Sequence, residues 1–409
     1  MMKNNHCVIA LSAAIISLSC VNCQDARHGR QYKIIKDIAE LQNTESLDEA
    51  DLSSLDLRDC EDLFLGKTGF DENGVKQWTD RVIWPETSKM PEGFDPQELL
   101  EASKMPKNVA GLHAKGITGK GVKIAIIDQR LFKEHPEYKD RIKYYEVFGD
   151  NWQQDGIDYH GSLVTGVAAG KSTGTAPEAD IYYFAANNWP DDKSQPNTMR
   201  TINQAIRKII DMNKTFPERE KIRFISMSSG TPDDAFAKER EELFDEAEQN
   251  GIMVLGGFYK HTMRNNSFDI RYGFEGRGLG IPTDGKTNPY FDGGYAYERL
   301  GGASSTFPYL AGVFAMALQD NQNFTRLPHW QDRLMKIAYD TAVDSVVNPE
   351  GIVEEVSRIA QTLQKIGEVN GFPPRADRVP GCNFSVYLRR QCILPPFSYS
   401  YLTGIQLLV

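Results

Sequence analysis

The chain is poor in excess basic charge, in long apolar runs and in cysteine. Its 409 residues carry 46 Lys and Arg against 56 Asp and Glu, a formal net charge of −10. No basic surplus is available to displace counterions from a phosphate backbone, so a nucleic-acid partner is not expected. The apolar run from Val8 to Leu18 is too short to span a bilayer as a stable helix, and no other segment is long and apolar enough. Of the six cysteines, the four beyond Cys20 (Cys23, Cys60, Cys382 and Cys392) lack metal-ligand spacing with a nearby histidine, which argues against zinc, and no metal is assigned. Cys382 and Cys392 can close a small loop in an oxidising compartment or remain free or buried thiols. What remains is an ordinary globular composition, 40% apolar and 25% charged, long enough for one large or two smaller domains.

The first 23 residues read as a targeting segment rather than fold. Lys3 precedes the short apolar run, and small residues follow it, the pattern of a secretory signal. The stretch Ile16-Ser17-Leu18-Ser19-Cys20 loosely resembles a bacterial lipoprotein cleavage site with Cys20 as the lipidated residue, although Leu18 lies two residues before the cysteine and not three. Simple export is the alternative. Either reading places the chain outside the cell or in the cell envelope, with or without a lipid anchor at Cys20.

Residues 24–110 are polar, irregular and acidic, and are broken by Pro85, Pro91 and Pro96. Leu47 to Leu52 and Leu55 to Leu57 echo one another in Leu and Asp, but two copies do not make a repeat array. A pro-segment, a spacer and a cap all fit this region. Residues 111–368 have the texture of a folded domain, and the tail 369–409 shows no clear pattern.

Within that domain, continuous apolar runs predict buried strands at Val122 to Ile127, Ile181 to Ala186, Arg223 to Met227 and Ile252 to Leu255. Ile202, Ile206, Ile209 and Ile210 mark one face of a helix over Thr201 to Lys214. Asp234 to Gln249 reads as a charged surface helix with Leu243 and Ala247 inward. Ser305 to Gln319 reads as a buried helix despite Pro308, and Ile352, Val356, Ile359, Leu363 and Ile366 form an amphipathic stripe. Strands alternating with helices imply an α/β fold: a three-layer arrangement of a mostly parallel central sheet with helices on both faces.

Three residues have contexts that suit one chemistry. Asp128 ends a buried strand, where α/β folds expose functional groups. His160 opens the Gly/Ala-rich segment Gly161 to Gly170, suited to a tightly packed helix. Ser304 lies at a Gly-led helix entry, where free N–H groups and the positive dipole end can meet a developing oxyanion. A hydroxyl needs a base within reach, and the base needs a partner that fixes its tautomer. Singly, these residues could be a cap, a satisfied polar group and an N-cap. Jointly, in the order Asp, His, Ser, they form a nucleophilic triad.

Those contexts resemble the subtilisin-like serine peptidases, the subtilases. Gly119-Lys120-Gly121-Val122 through Asp128, with His135-Pro136-Glu137, resembles the family's aspartate motif; Tyr159-His160-Gly161-Ser162 its histidine motif; Gly302-Ala303-Ser304, with Pro308 and Ala311-Gly312, its serine motif. Gly174 to Ala179 and Val347-Asn348-Pro349 match further family segments. The resemblance runs from Gly119 to about Ile366. It implies a serine endopeptidase acting on protein or peptide through an acyl-enzyme, with Asp128, His160 and Ser304 as the triad. It also implies a groove whose strand pairs with an extended substrate, here Ser226, Ser228, Ser229 and Gly230, with Gly257 and Phe258 beside it. No cofactor is implied. Some subtilases bind calcium at surface loops, but the acidic stretch Asp150, Asp155 and Asp158 does not by itself assign one.

The chain departs from the family pattern at several points. Gln129 and Arg130 follow the aspartate where a small hydroxyl residue and Gly are usual, and Leu163 and Thr165 replace the second His and the Ala of the histidine motif. No Asn falls where the family's oxyanion donor is expected; Lys260 is nearest in register and is the substitute candidate. Losing one such donor costs about 100- to 1000-fold in rate. Phe258 and Tyr259 narrow the primary pocket. These departures favour an alternative reading, a weak or inactive subtilisin fold that binds or regulates peptides.

Overall fold

The structure, a computed structural model, describes residues 55–59, 77–86, 95–149, 159–186, 200–228, 235–256, 278–291, 293–298 and 301–369, with short pieces at 33–34, 88, 90, 93 and 270–272. Residues 1–23 with Cys20, the acidic stretch from Asp150 to Asp158, and Cys382 and Cys392 lie outside the described residues.

Five parallel strands form the central sheet: β4 (Lys123–Asp128), β5 (Ile142–Val147), β6 (Asp180–Ala185), β7 (Ile222–Met227) and β8 (Met253–Gly256), in the order β5-β6-β4-β7-β8. Strands β1 (Lys33–Ile34), β2 (Leu55–Asp56) and β3 (Gln77–Thr79) precede it in the chain. The apolar runs expected to be strands are strands. β5 was not foreseen, because its sequence Ile-Lys-Tyr-Tyr-Glu-Val lacks a continuous apolar run and it occupies a sheet edge.

Because successive side chains in a strand point to opposite faces, each strand feeds two cores. Ile124 and Ile126 of β4 join one apolar cluster, and Ala125 and Ile127 join the other. The first cluster is covered by α3 (Tyr159–Ala169), α6 (Thr306–Leu318), α7 (Trp330–Asp340) and α8 (Pro349–Val369). The second is covered by α4 (Arg200–Thr215), through its isoleucine stripe, and α5 (Ala237–Gln249), through Leu243, Phe244 and Ala247. Two short helices, α1 (Pro96–Ala102) and α2 (Ala110–Ala114), precede β4. No helix among the described residues is long and apolar enough to cross a membrane. The architecture is the three-layer α/β arrangement expected.

Helix α6 tolerates Pro308 because this residue sits in the first turn, where the backbone N–H has no intrahelical acceptor. All thirteen residues of that helix are buried, so it acts as a central strut.

A second, smaller sheet was not legible in the sequence. After a parallel pair of strands, β9 (Ile270–Tyr272) with β10 (Leu279–Ile281), come β11 (Lys286–Pro289) and β12 (Tyr295–Glu298). These two form an antiparallel hairpin, and β3 from the N-terminal region adds to it as a third strand.

Candidate active site

β4 is flanked by β6 on one side and β7 on the other, so chain connections diverge to left and right from its C-terminal end. A crevice forms at such a switch point in open parallel sheets. Asp128 is the last residue of β4 and is 2% exposed. Its Oδ1 accepts the Gln129 N–H at 2.8 Å and lies 2.7 Å from His160 Nδ1. Oδ2 is buried and has no hydrogen-bond partner among the described residues.

His160 is the second residue of α3, and its ring keeps some contact with solvent. The small residues of α3 let it lie tightly against its neighbours. A Cβ on Gly161 would come within 2.5 Å of Tyr183 Oη and 2.9 Å of the Gln129 carbonyl. The same Tyr183 hydroxyl donates to that carbonyl, tying the end of β6 to the loop after Asp128. On the other side, a Cβ on Gly312 of α6 would lie 2.6 Å from Thr175 Cβ and 2.9 Å from the Ala168 carbonyl. His160 is thus carried to the end of β4 by a helix with no room to shift.

Ser304 lies in the single 3-10 turn Ala303–Ser305 that leads into α6 and is half-buried. Its turn packs against α3, the helix that carries His160. The Ser305 N–H donates to the Gly302 carbonyl at 3.1 Å, closing the turn. The Ser304 carbonyl accepts the Ser228 hydroxyl at 2.7 Å. Asp128 and His160 are therefore hydrogen-bonded, and Ser304 is placed on an element in contact with the histidine helix.

The expected groove residues divide. Ser226 is inside β7, paired with Ile126 of β4 and Leu255 of β8, and is 1% exposed. Its main chain is occupied by the sheet on both sides. Ser228 follows the end of β7 and is half-buried. Ser229, Gly230, Gly257, Phe258 and Lys260 lie outside the described residues.

A buried polar cluster around Glu137 was missed in the sequence. Glu137 is 4% exposed, and its carboxylate accepts from Ser172 Oγ at 2.6 Å, Ser172 N at 2.7 Å and Tyr295 Oη at 2.7 Å. Burial alone would raise this carboxyl; the hydrogen bonds from Ser172, Tyr295 and Thr173 outweigh it and hold it below the usual carboxylate range. Beside it, His135 is fully buried, with Nε2 2.8 Å from the Gly294 carbonyl and Nδ1 accepting the Glu137 N–H at 3.2 Å. Lys286 of β11 completes the cluster. Burial lowers its amine to about 7, with the Glu137 charge opposing that shift. Only the His135-Pro136-Glu137 part carried a sequence signal; the lysine and tyrosine arrive from a hairpin far along the chain.

Parts of the chain are similar to known proteins. The model of the Subtilase family matches residues 119–258. Similar proteins include the Major intracellular serine protease of Bacillus subtilis (strain 168), 27% identical over 175 residues, covering 39% of this chain and 50% of that one. The M-protease of Shouchella clausii (strain KSM-K16) is 24% identical over 238 residues, covering 53% of this chain and 58% of that one. The chain thus spans about half the length of these relatives. Among solved structures, a cold adapted subtilisin-like serine proteinase is similar with a TM-score of 0.42 and 19% identity, covering 55% of this chain and 83% of that one. Residues 119–258 thus match the Subtilase family model, and over part of its length this chain is similar to subtilisin-like serine proteases.

Proposed function

We propose that this protein is a serine endopeptidase in which Ser304 attacks the peptide carbonyl, His160 moves the proton and Asp128 orients His160. The observation that carries this reading is the 2.7 Å contact between His160 Nδ1 and Asp128 Oδ1 at the end of β4. With Nδ1–H donated to the carboxylate, Nε2 of His160 is left as the acceptor, the tautomer a general base needs. The Ser304 hydroxyl gives its proton to Nε2 as its oxygen bonds to the carbonyl carbon. The tetrahedral intermediate then collapses, the leaving amine takes the proton from His160, and water hydrolyses the acyl-enzyme by the same route. The N–H of Ser304, at the start of a buried helix, supplies part of the oxyanion site.

The substrate is an extended protein or peptide segment. The β7 ladder ends at Met227, so the main chain becomes available for pairing with such a segment only from Ser228 onward. Lys260 is the candidate second oxyanion donor. The export reading, with Cys20 as a lipid anchor, rests on the first 23 residues alone.

Fluorophosphonate labelling tests the reading. The wild-type protein is expected to label, and Ser304→Ala and His160→Ala are expected not to. A folded wild type that does not label supports the second reading, a peptide-binding or regulatory protein. That reading is favoured by the absence of Asn in the oxyanion register after Leu255.

A further inference from the structure

The N-terminal residues 77–107 engage the elements that lead to Ser304 at several independent points. Strand β3 pairs with β12 through Gln77 with Glu298, Trp78 with Tyr297 and Thr79 with Ala296. The Asp80 N–H extends this ladder to the Tyr295 carbonyl at 2.9 Å. Trp78 is 1% exposed; its ring stacks on Tyr297 with centroids 4.2 Å apart, and Trp84 meets its edge at 6.1 Å. β12 ends at Glu298, and the chain runs from there through Gly301 and Gly302 to Ser304.

The segment after α1 then crosses the other strand of the hairpin. The Thr287 N–H donates to the Ser103 carbonyl at 3.0 Å. The buried Lys286 Nζ donates to the Lys104 carbonyl and, at 2.8 Å, to the Thr173 carbonyl. One amino group therefore joins the N-terminal segment, the hairpin, and the turn that follows the His160 helix. Lys104 Nζ sits 3.9 Å over the Tyr295 ring, and Tyr309 of α6 donates its hydroxyl to the Lys107 carbonyl at 2.8 Å.

We infer that residues 77–107 are a permanent positioning strap for the Ser304 turn, and not a removable pro-segment. A segment destined for removal must leave behind a surface that water can solvate. Removing this one would strip β12 of its partner on one edge, bare the Tyr297 ring, and take away one of the two carbonyls that satisfy a buried amine. The strap acts on Ser304 through the hairpin, so the inference rests on the peptidase reading where it concerns rate. Its mechanical part does not.

Three measurements on the full chain test it. First, intact mass of the purified protein, before and after prolonged incubation, reports processing. Every folded species is expected to retain residues 77–107; a stably folded species that begins after residue 107 overturns the inference. Second, Trp78→Ala is compared with Trp78→Phe in hydrogen exchange. Amides of residues 295–298 and 302–306 are expected to exchange at least tenfold faster in Trp78→Ala and to recover in Trp78→Phe. Acceleration confined to residues 77–84 overturns it. Third, fluorophosphonate labelling is resolved into a saturating rate and a half-saturating concentration. In Trp78→Ala the rate is expected to fall at least tenfold with the half-saturating concentration unchanged within twofold, and Trp78→Phe is expected to restore it. A folded Trp78→Ala protein that labels like the wild type overturns the inference. If the wild type does not label, the peptidase reading fails, and mass and exchange alone judge the strap. The mass measurement does not depend on any variant folding.

Discussion

His160 Nδ1 and the Gln129 N–H converge on a single oxygen, Asp128 Oδ1, at 2.7 and 2.8 Å. That sharing distinguishes two substitutions. In Asp128→Asn, the Gln129 N–H holds the amide oxygen in the Oδ1 place, so His160 keeps its tautomer and loses only the carboxylate charge. In Asp128→Ala nothing fixes the ring. We expect Asp128→Ala to lower the labelling rate by about 10^4-fold, and Asp128→Asn by distinctly less. The reverse order would show that Gln129 does not select the amide orientation.

Gly161→Ala tests how tightly the histidine helix is seated. Alanine favours a helix by about 1 kcal/mol over glycine, yet its Cβ would fall 2.5 Å from Tyr183 Oη. Overpacking of this kind costs about 1–3 kcal/mol. The clash is expected to win, giving a lower denaturation midpoint together with slower labelling. A stabilised variant would mean that the contact relaxes freely.

Lys286 makes a prediction about alkaline stability. Its amine titrates near 7 in the folded chain, against an ordinary value of 10.5. Between those values the unfolded chain holds more protons, so this residue's contribution to stability rises with pH and is lost as pH falls toward 7. Tyr295 and Tyr309, both raised by burial, act oppositely, their contributions being lost as pH climbs past their ordinary value of 10.0. The difference in unfolding free energy between wild type and Lys286→Met should therefore shift in favour of the wild type from pH 7 to 10. A difference independent of pH would sink the assignment.

Glu137 governs the acid side. Its carboxyl is held below the ordinary value of 4.5, so its contribution is complete above that value and is lost as pH falls through the folded one. Glu137→Gln is expected to cost about 1–3 kcal/mol at neutral pH, through lost charge-assisted hydrogen bonds. It should also unfold less steeply in acid than the wild type. Urea titrations at pH 7 and pH 3 measure both; parallel loss of stability in the two proteins would contradict the cluster's role.

Two kinds of information were separable. Strands β4, β6, β7 and β8 and the helix α4 could be read from the chain because each is a local pattern, a continuous apolar run or a 3.6-residue stripe. Asp128 stood out for a similar reason, ending one of those runs. The edge strand β5 and the three-residue strand β3 carry no such pattern. Neither has a continuous apolar run, and only pairing partners distant in the chain make them strands.

The sequence by itself determined the layer order, the cores on the two sheet faces and the residue types able to form an Asp-His-Ser site, since these follow from periodicity and side-chain chemistry. Only the tertiary structure decided what lies around that site. It brought His160 onto Asp128, buried Ser226 inside the sheet, set Lys286 between two carbonyls from distant segments, and laid Trp78 on Tyr297. Each of those relations joins residues with no local sequence signal between them. Close packing and the need to satisfy every buried polar group select them only after the chain has collapsed.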